Sequence, residues 1–338
     1  MFRHNKLGGF CPKRRSILSL YPIQREISLL SDINSLIRAM VLINTIKPDV
    51  VNSGTPKAGL IGTLASRILG IRKVIYTLHG LRLQTTTGAK RRLLYLMERI
   101  ACSSADVIVC VSKSLMTEAI NLDLAPERKF IVINNGTANG VNTTLFRNPA
   151  DDPSTLKSTL GIPAETKVIG FAGRITRDKG IEDLYRAFRL LTGDYILLII
   201  GSIESNDPID PVILQEIRSR QDIIMPGFVD NIADYYHIMD VLVLPSYREG
   251  FGMVALEAAA AGVPAIVSDS TGVRDAVIHQ HTGLVFKTGD FVQLSRSMEE
   301  ILSNAAKRKR LGEQAQRRVE TEFIPQEIWI QLNRIYHK

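Results

Sequence analysis

The chain predicts two doubly wound α/β domains that face one another across a cleft, and three observations carry that expectation. Its 338 residues exceed what one ordinary hydrophobic core serves. Short apolar runs alternate with segments of helical period from about residue 48 to 133, and the alternation restarts at 167. Between the two series lies 148–166, rich in Pro, Asp, Ser and Thr, which reads as the boundary. The expected division is 1–149, 150–322 and a terminal helix over 323–338 that packs back on the first domain.

In chain order, Ser16–Leu20 is a possible strand with Gly8-Gly9 ahead of it, and Ser31 or Asp32 caps a helix to about Thr45. A strand ends at Ser53-Gly54. A helix follows over 57–69, a strand over 72–78, a helix over 89–104 and a strand over 106–111. Ser112 caps the next helix, and 129–133 is a strand. In the second series, strands are expected at 167–172, 195–201, 222–226, 240–244, 264–268 and 283–286. Helices are expected near 180–191, 211–220, 231–238, 251–261, 273–278, 290–303, 306–321 and from Pro325 onward. Parallel sheets of this kind bind ligands at the carboxyl ends of their strands, so two in tandem imply a shared cleft.

Composition narrows the class. Hydrophobic residues make up 45% and charged residues 22%, as in a soluble globular chain, and no apolar run reaches the length of a spanning helix. The N-terminus has charge without an apolar core, so no signal peptide is expected. Cys11, Cys102 and Cys110 lack metal-ligand spacing and read as reduced thiols of a cytoplasmic protein. Charge divides unevenly. Residues 1–150 hold 21 Lys+Arg against 8 Asp+Glu (+13), whereas 151–338 hold 21 against 26 (−5). That asymmetry suits an anionic partner for the first domain, nucleic acid or a lipid surface, or a merely solvated basic face. Nucleic acid is disfavoured because no aromatic interleaving or binding motif accompanies the charge.

The chemistry concentrates on the second domain. Strand 167–172 ends in Gly173-Arg174, with Asp178-Lys179-Gly180 at a helix start, so a guanidinium fork and a point charge stand beside free helix N–H groups. That pattern suits a diphosphate, although surface charges capping a helix share it. It is neither a Walker loop nor a Gly-x-Gly-x-x-Gly fingerprint. Val241–Leu244 feeds the turn Glu249-Gly250-Phe251-Gly252, and Glu257 follows about two turns into a helix. Glu257 can accept two ribose hydroxyls, and the N–H groups of Gly252, Met253 and Val254 face an anion. Pro226–Asp230, with Phe228 and Val229, is a strand end able to hold a flat base.

Gly-Arg…Asp-Lys-Gly (173–180), Gly-Phe-Val (227–229), Met-Asp-Val-Leu-Val-Leu-Pro-Ser (239–246), Glu-Gly-Phe-Gly…Leu-Glu-Ala (249–258), Ala-Gly-Val-Pro (261–264) and Thr-Gly-Leu-Val (282–285) occur in order. Together they resemble the family-four retaining glycosyltransferases of the two-Rossmann-domain, or GT-B, type. Thr55-Pro-Lys-Ala-Gly59, Thr77-Leu-His-Gly-Leu81, Asn139-Gly-Val-Asn142 and Thr271-Gly-Val-Arg-Asp275 look like bacterial members that extend lipid-diphosphate-linked sugars for surface polysaccharide or glycan assembly. The resemblance implies transfer from a nucleotide-sugar, UDP-linked, to a lipid-linked saccharide. Arg174 and Lys179 then neutralise the donor diphosphate, Glu249 contacts the donor sugar and Glu257 holds the ribose. Gly173, Gly250, Phe251, Gly252, Met253, Val254, Phe228 and Val229 complete the donor site, and His79 contacts sugar or acceptor. No metal or other cofactor is implied, since Arg and Lys replace the cation.

Lys90, Arg91, Arg92 and Arg99 share helix 89–104 with Leu93, Leu94, Leu96, Met97 and Ile100, which suits docking at an anionic leaflet as well as an ordinary core-packed helix. The implied location is peripheral, at the inner face of the plasma membrane. Departures from the family pattern are Gly54 where relatives often carry His, Asn142 where Asp is usual, and a short N-terminus that does not read as the opening strand–helix–strand unit. The first domain is therefore expected to be truncated. Two other readings stay open: a non-catalytic or partner-dependent donor-binding remnant, and a nucleotide-sugar 2-epimerase.

Overall fold

The computed structural model describes residues 29–150 and 152–337. The expectations on Gly8-Gly9, Cys11, Ser16–Leu20 and the opening strands of the first domain lie outside the described residues. Helix α1 (Leu29–Ile46) leads into β1 (Val50–Gly54), α2 (Pro56–Ile68), β2 (Lys73–Leu78), α3 (Gly88–Ser104), β3 (Val107–Cys110), α4 (Lys113–Asn121) and β4 (Phe130–Val132). The four strands form one parallel sheet in the order β1-β2-β3-β4. The apolar run of β2 is buried on both faces, as a strand of a covered parallel sheet must be. Pro56 opens α2 at a position whose N–H has no helical partner. The Ser112 hydroxyl accepts from Leu115 N–H at 3.2 Å and caps α4.

Helices α5 (Thr143–Arg147) and α6 (Pro153–Thr159) occupy the connection, and Ala150 N–H donates to Asp234 at 2.6 Å. The second sheet is built from β5 (Lys167–Ala172), α7 (Ile181–Phe188), β6 (Tyr195–Ile200), α8 (Pro211–Ser219), β7 (Ile223–Gly227), α9 (Ile232–His237), β8 (Val241–Leu244), α10 (Met253–Ala260), β9 (Ala265–Ser268) and β10 (Gly283–Phe286). All six strands run parallel in the order β10-β9-β8-β5-β6-β7. Helices α11 (Phe291–Ser303), α12 (Ala305–Glu322) and α13 (Pro325–His337) close the chain. Asp290 and Asn304 cap α11 and α12. The two parallel-sheet α/β domains expected from the alternation are present.

Two details differ from expectation. Residues 273–278 form only a 3-10 turn, Arg274–Ala276, because Gly272 sits at φ +80° before it and Val277 is extended after it. Neither Ser31 nor Asp32 is a cap. Both lie inside α1, where Asp32 pairs with Lys57 at 2.5 Å.

The domains share apolar contacts. One cluster joins Tyr76, Leu78 and Cys110 of the first sheet to Leu244, Phe251 and Ala255 of the second domain. On the other face of the first sheet, Ile75, Val109 and Ile133 pack against Ile328, with Leu332, Ile335 and Tyr336 of α13 beside them. Asn52 donates to Tyr336 Oη at 2.8 Å, so α13 lies across the first sheet.

Candidate active site between the two domains

The second domain supplies two loops at its strand ends. After β5, Arg174 Nη1 pairs with Glu204 at 2.9 Å, and a 3-10 turn, Arg177–Lys179, ends at Gly180. Gly180 has φ +72°, and a Cβ there would lie 2.2 Å from the Pro245 carbonyl oxygen, so the turn is pressed against the end of β8. The Asp178 carboxylate accepts from Thr176 Oγ1 at 2.6 Å, and the Asp178 N–H donates to Asp207 Oδ2 at 2.8 Å. Burial opposes its ionisation. The Thr176 bond and the charge of Arg248 outweigh that and hold the carboxyl below its ordinary range.

After β8, the chain runs Ser246-Tyr247-Arg248-Glu249. Arg248 pairs with Asp178 at 2.8 Å, and the next residue, Glu249, pairs with Lys179. Two neighbouring ion pairs of opposite polarity thus lace the loops together. Ser246 Oγ also donates to Glu249 at 3.2 Å, and the Glu249 N–H reaches the Thr271 carbonyl at 3.1 Å. Glu257 stands five residues into α10, just over one turn rather than two. It accepts from Tyr236 Oη at 2.8 Å, and burial raises its pKa against that bond.

The first domain meets this turn directly. A Cβ on Gly250 would lie 1.9 Å from the His79 carbonyl oxygen, so only glycine permits the approach. The His79 ring lies over Gly54, and burial lowers its pKa, which keeps the imidazole neutral at pH 7. Polar contacts cross between the domains beside this turn. Gln84 Nε2 donates to Thr271 Oγ1 at 2.8 Å, Arg248 Nε to Thr85 Oγ1 at 3.1 Å, and Ser114 N–H to Asp275 at 3.1 Å. A cavity of about 1320 Å³ opens between the two walls, with His79, Arg174, Asp178 and Arg248 among its lining.

Of the residues singled out in the sequence, Arg174 and His79 line this cavity, Lys179 and Glu249 pair with one another, and Gly250 abuts His79. Gly173 turns at the end of β5. Others are placed differently. Phe228, 75% exposed, lines a separate cavity of about 450 Å³ with Gly201, Ser202 and Met225 at the ends of β6 and β7. Its neighbour Val229 is half-buried and packs against the core. The Phe251 ring is buried against Gly136 and stacks edge-on with Phe323 at 5.7 Å, so it serves packing between the domains. The Met253 N–H donates to Phe251 O at 2.7 Å, whereas Gly252 and Val254 frame an uncapped start of α10.

The cations of α3 also separate. Lys90 lines the cleft, Arg99 bonds Tyr95 and pairs with Asp123 at 3.6 Å, and Arg91 and Arg92 are exposed. Sequence reasoning missed Arg82, Gln84, Thr85, Glu204, Tyr236 and Arg248. Arg82 and Arg248 stand within three residues of His79 and next to Glu249, the one local signal available. The partners of the rest are distant in sequence.

Residues 153–318 match the family described as glycosyl transferases group 1, and residues 9–138 match glycosyltransferase family 4. Over 324 residues the chain is 37% identical to the capsular polysaccharide biosynthesis glycosyltransferase CapM of Staphylococcus aureus, covering 95% of this chain and 85% of that one. It is 27% identical over 273 residues to the UDP-Gal:alpha-D-GlcNAc-diphosphoundecaprenol alpha-1,3-galactosyltransferase of Escherichia coli, covering 79% and 69%. The fold is similar to that of Anabaena Alr3699/HepE in its crystal structure with UDP, with a TM-score of 0.77, 20% identity and coverage of 89% and 81%.

Proposed function

The chain belongs to the group 1, family 4 glycosyltransferases, and from that membership we propose that it moves a sugar from a UDP-linked donor to a hydroxyl of a lipid-linked saccharide, with retention of anomeric configuration, in cell-surface polysaccharide or glycan assembly. The names of its relatives support this reading, one acting in capsule synthesis and one on a diphosphoundecaprenol-linked sugar. The observation that carries it is local. The Lys179–Glu249 pair of the second domain is held beside Gly250, which touches the His79 carbonyl of the first. A donor on one wall and an acceptor on the other meet there.

In this reading Arg174 exchanges Glu204 for a donor phosphate, and Lys179 shares itself between phosphate and Glu249. Glu257, steadied by Tyr236, takes the ribose, and the cavity at Phe228 takes the base. The bond from the anomeric carbon to the diphosphate breaks with electrostatic support from both cations. The acceptor oxygen attacks on the same face, and its proton passes to the departing diphosphate oxygen. No metal is needed, because Arg174 and Lys179 carry the charge.

Two measurements test the reading. Thermal shift across UDP-, GDP- and ADP-sugars should single out a UDP-sugar as stabilising. Transfer of labelled sugar to a polyprenyl-diphosphate-linked N-acetylglucosamine, with the product's anomer read by NMR, should show retention. Absence of any stabilising nucleotide-sugar, or an inverted product, overturns it.

Membrane docking through α3 is the finer part of this proposal. Leu93, Leu96 and Ile100 recur on one helix face and are exposed, Leu96 by 53%, beside exposed Arg91 and Arg92. Among the described residues no helix is long and apolar enough to cross a membrane. Sedimentation with phosphatidylglycerol vesicles should show salt-sensitive binding, and its absence removes the docking surface.

A further inference from the structure

The two walls of the cleft differ in how their cations are spent. On the second domain, Arg174, Arg177, Arg186 and Arg248 line the cavity, and each has a carboxylate partner within 3.8 Å. On the first domain, Arg82 and Lys90 line it, no carboxylate shares that wall, and among the described residues neither cation has an ion-pair partner. Charges that face a half-enclosed cleft without a counterion are an anion site in waiting, since an incoming anion has no internal carboxylate to displace. The placement of Lys90 has a local cost. It lies in the first turn of α3, where the helix dipole disfavours a cation and where no acidic residue offsets it.

The surroundings indicate what kind of anion fits. Thr85 and Thr86 add hydroxyls to the same wall, and Leu94 adds an apolar side chain. On the same helix Leu93 and Leu96 are exposed. A head that is anionic and a tail that is hydrocarbon would each find a complementary surface on one helix.

We propose that Arg82 and Lys90 form a phosphate subsite for the acceptor, and that it takes the diphosphate of a lipid-linked diphosphate whose hydrocarbon leaves along α3. This rests on the transferase reading above and adds to it the place where the acceptor's charge is held. It also separates Lys90 from Arg91 and Arg92: the first serves the substrate, the other two face outward.

The test uses the full chain with UDP held at saturation, so that the donor side is filled, and titrates farnesyl diphosphate as the probe by calorimetry. Farnesol is the uncharged control. The expected result is that farnesyl diphosphate binds at least about tenfold more tightly than farnesol, and that Arg82→Gln with Lys90→Gln removes about tenfold or more of that affinity, the range set by losing charge-assisted bonds. Arg82→Lys should restore most of it in the single-variant background. The UDP dissociation constant should stay within about twofold, because both residues belong to the first domain's wall and neither is ion-paired with the second domain's loops. Unchanged farnesyl diphosphate affinity in the double variant overturns the subsite, as does an equal loss of UDP. Two further arms fix the source of the phosphate. Inorganic pyrophosphate should bind through the same two residues but more weakly. Phosphatidylglycerol vesicles should bind the double variant as well as the wild type, and an equal loss there reassigns the cations to the leaflet and overturns the acceptor subsite. Failure of UDP itself to bind the wild type strikes the donor reading, while the farnesyl diphosphate arms, run without UDP, still decide the subsite.

Discussion

Thr85 of the first domain accepts a hydrogen bond from Arg248 Nε at 3.1 Å, and Arg248 is the residue before Glu249. The adjacent Gln84 reaches Thr271, whose carbonyl accepts the Glu249 N–H. One short 3-10 turn, Arg82–Thr85, therefore grips both flanks of Glu249 from across the cleft. Thr85→Val keeps the shape and removes the hydroxyl. It should lower sugar transfer by about three- to tenfold, the net worth of one ordinary hydrogen bond, with UDP affinity little changed. Thr85→Ser should recover most of the rate. Comparing kcat and KM for donor and acceptor in the two variants checks this, and identical losses in both would assign Thr85 to packing alone.

Lys179 and Glu249 are each other's partner and both are largely buried, with side-chain exposures of 12% and 19%. Lys179→Ala removes the charge expected on the leaving diphosphate and strands Glu249. Turnover should fall by about 10²-fold or more, as when one preorganised charge is lost, while circular dichroism reports a folded chain. Retention of full activity in a folded Lys179→Ala protein removes Lys179 from the mechanism.

Gly54 stands where His79 needs room. A Cβ there would lie 3.1 Å from His79 Nε2 and 3.2 Å from Cδ2, tighter than ordinary contact. Gly54→Ala should shift the ring by a few tenths of an ångström and reduce transfer by about tenfold, since small misplacements of reacting groups are costly, with little effect on the unfolding temperature. Activity equal to wild type would show that the His79 ring position is unimportant.

These residues mark what could be read from the sequence. Strands such as Lys73–Leu78 and Lys167–Ala172 and the helix cap Ser112 are local patterns of period, apolarity and hydrogen-bonding side chain, and they stand where the pattern put them. The loops at the ends of β5 and β8 were legible for the same reason. What was not legible depends on partners far along the chain. Phe251 reads as part of a ligand loop until Gly136 and Phe323 surround it, and Lys90 reads like Arg91 until helix rotation turns one to the cleft. Tyr236 and Glu257 are 21 residues apart, and no local period links them. Glu98 carried a signal that was overlooked: Leu94, Glu98 and Ala101 fall on one helical stripe, which places a carboxyl on the buried face of α3.

That carboxyl yields a prediction about stability. Glu98 is buried and accepts from Tyr76 Oη at 2.9 Å, and desolvation raises its pKa to about 7 although the Tyr76 bond works the other way. Below about pH 4.5 the acid is protonated in both folded and unfolded chains, and its contribution is fully present. Between there and pH 7 the unfolded chain releases the proton while the folded chain keeps it, so the fold loses stability as pH rises. Above 7 both states are ionised and the slope ends. The full span is on the order of 3 kcal/mol. Tyr76, Cys102 and Cys110 are themselves pushed upward by burial, Cys110 to about 12, so they stay neutral and offset nothing in this window. Glu98→Gln retains an acceptor for Tyr76 and cannot ionise. Urea unfolding at pH 5 and pH 8 should therefore show a fall in stability for the wild type that is largely absent in Glu98→Gln, with the variant gaining most at pH 8. The same pH dependence in both proteins would mean that Glu98 is ionised in the fold at neutral pH, and that the Tyr76 bond outweighs its burial.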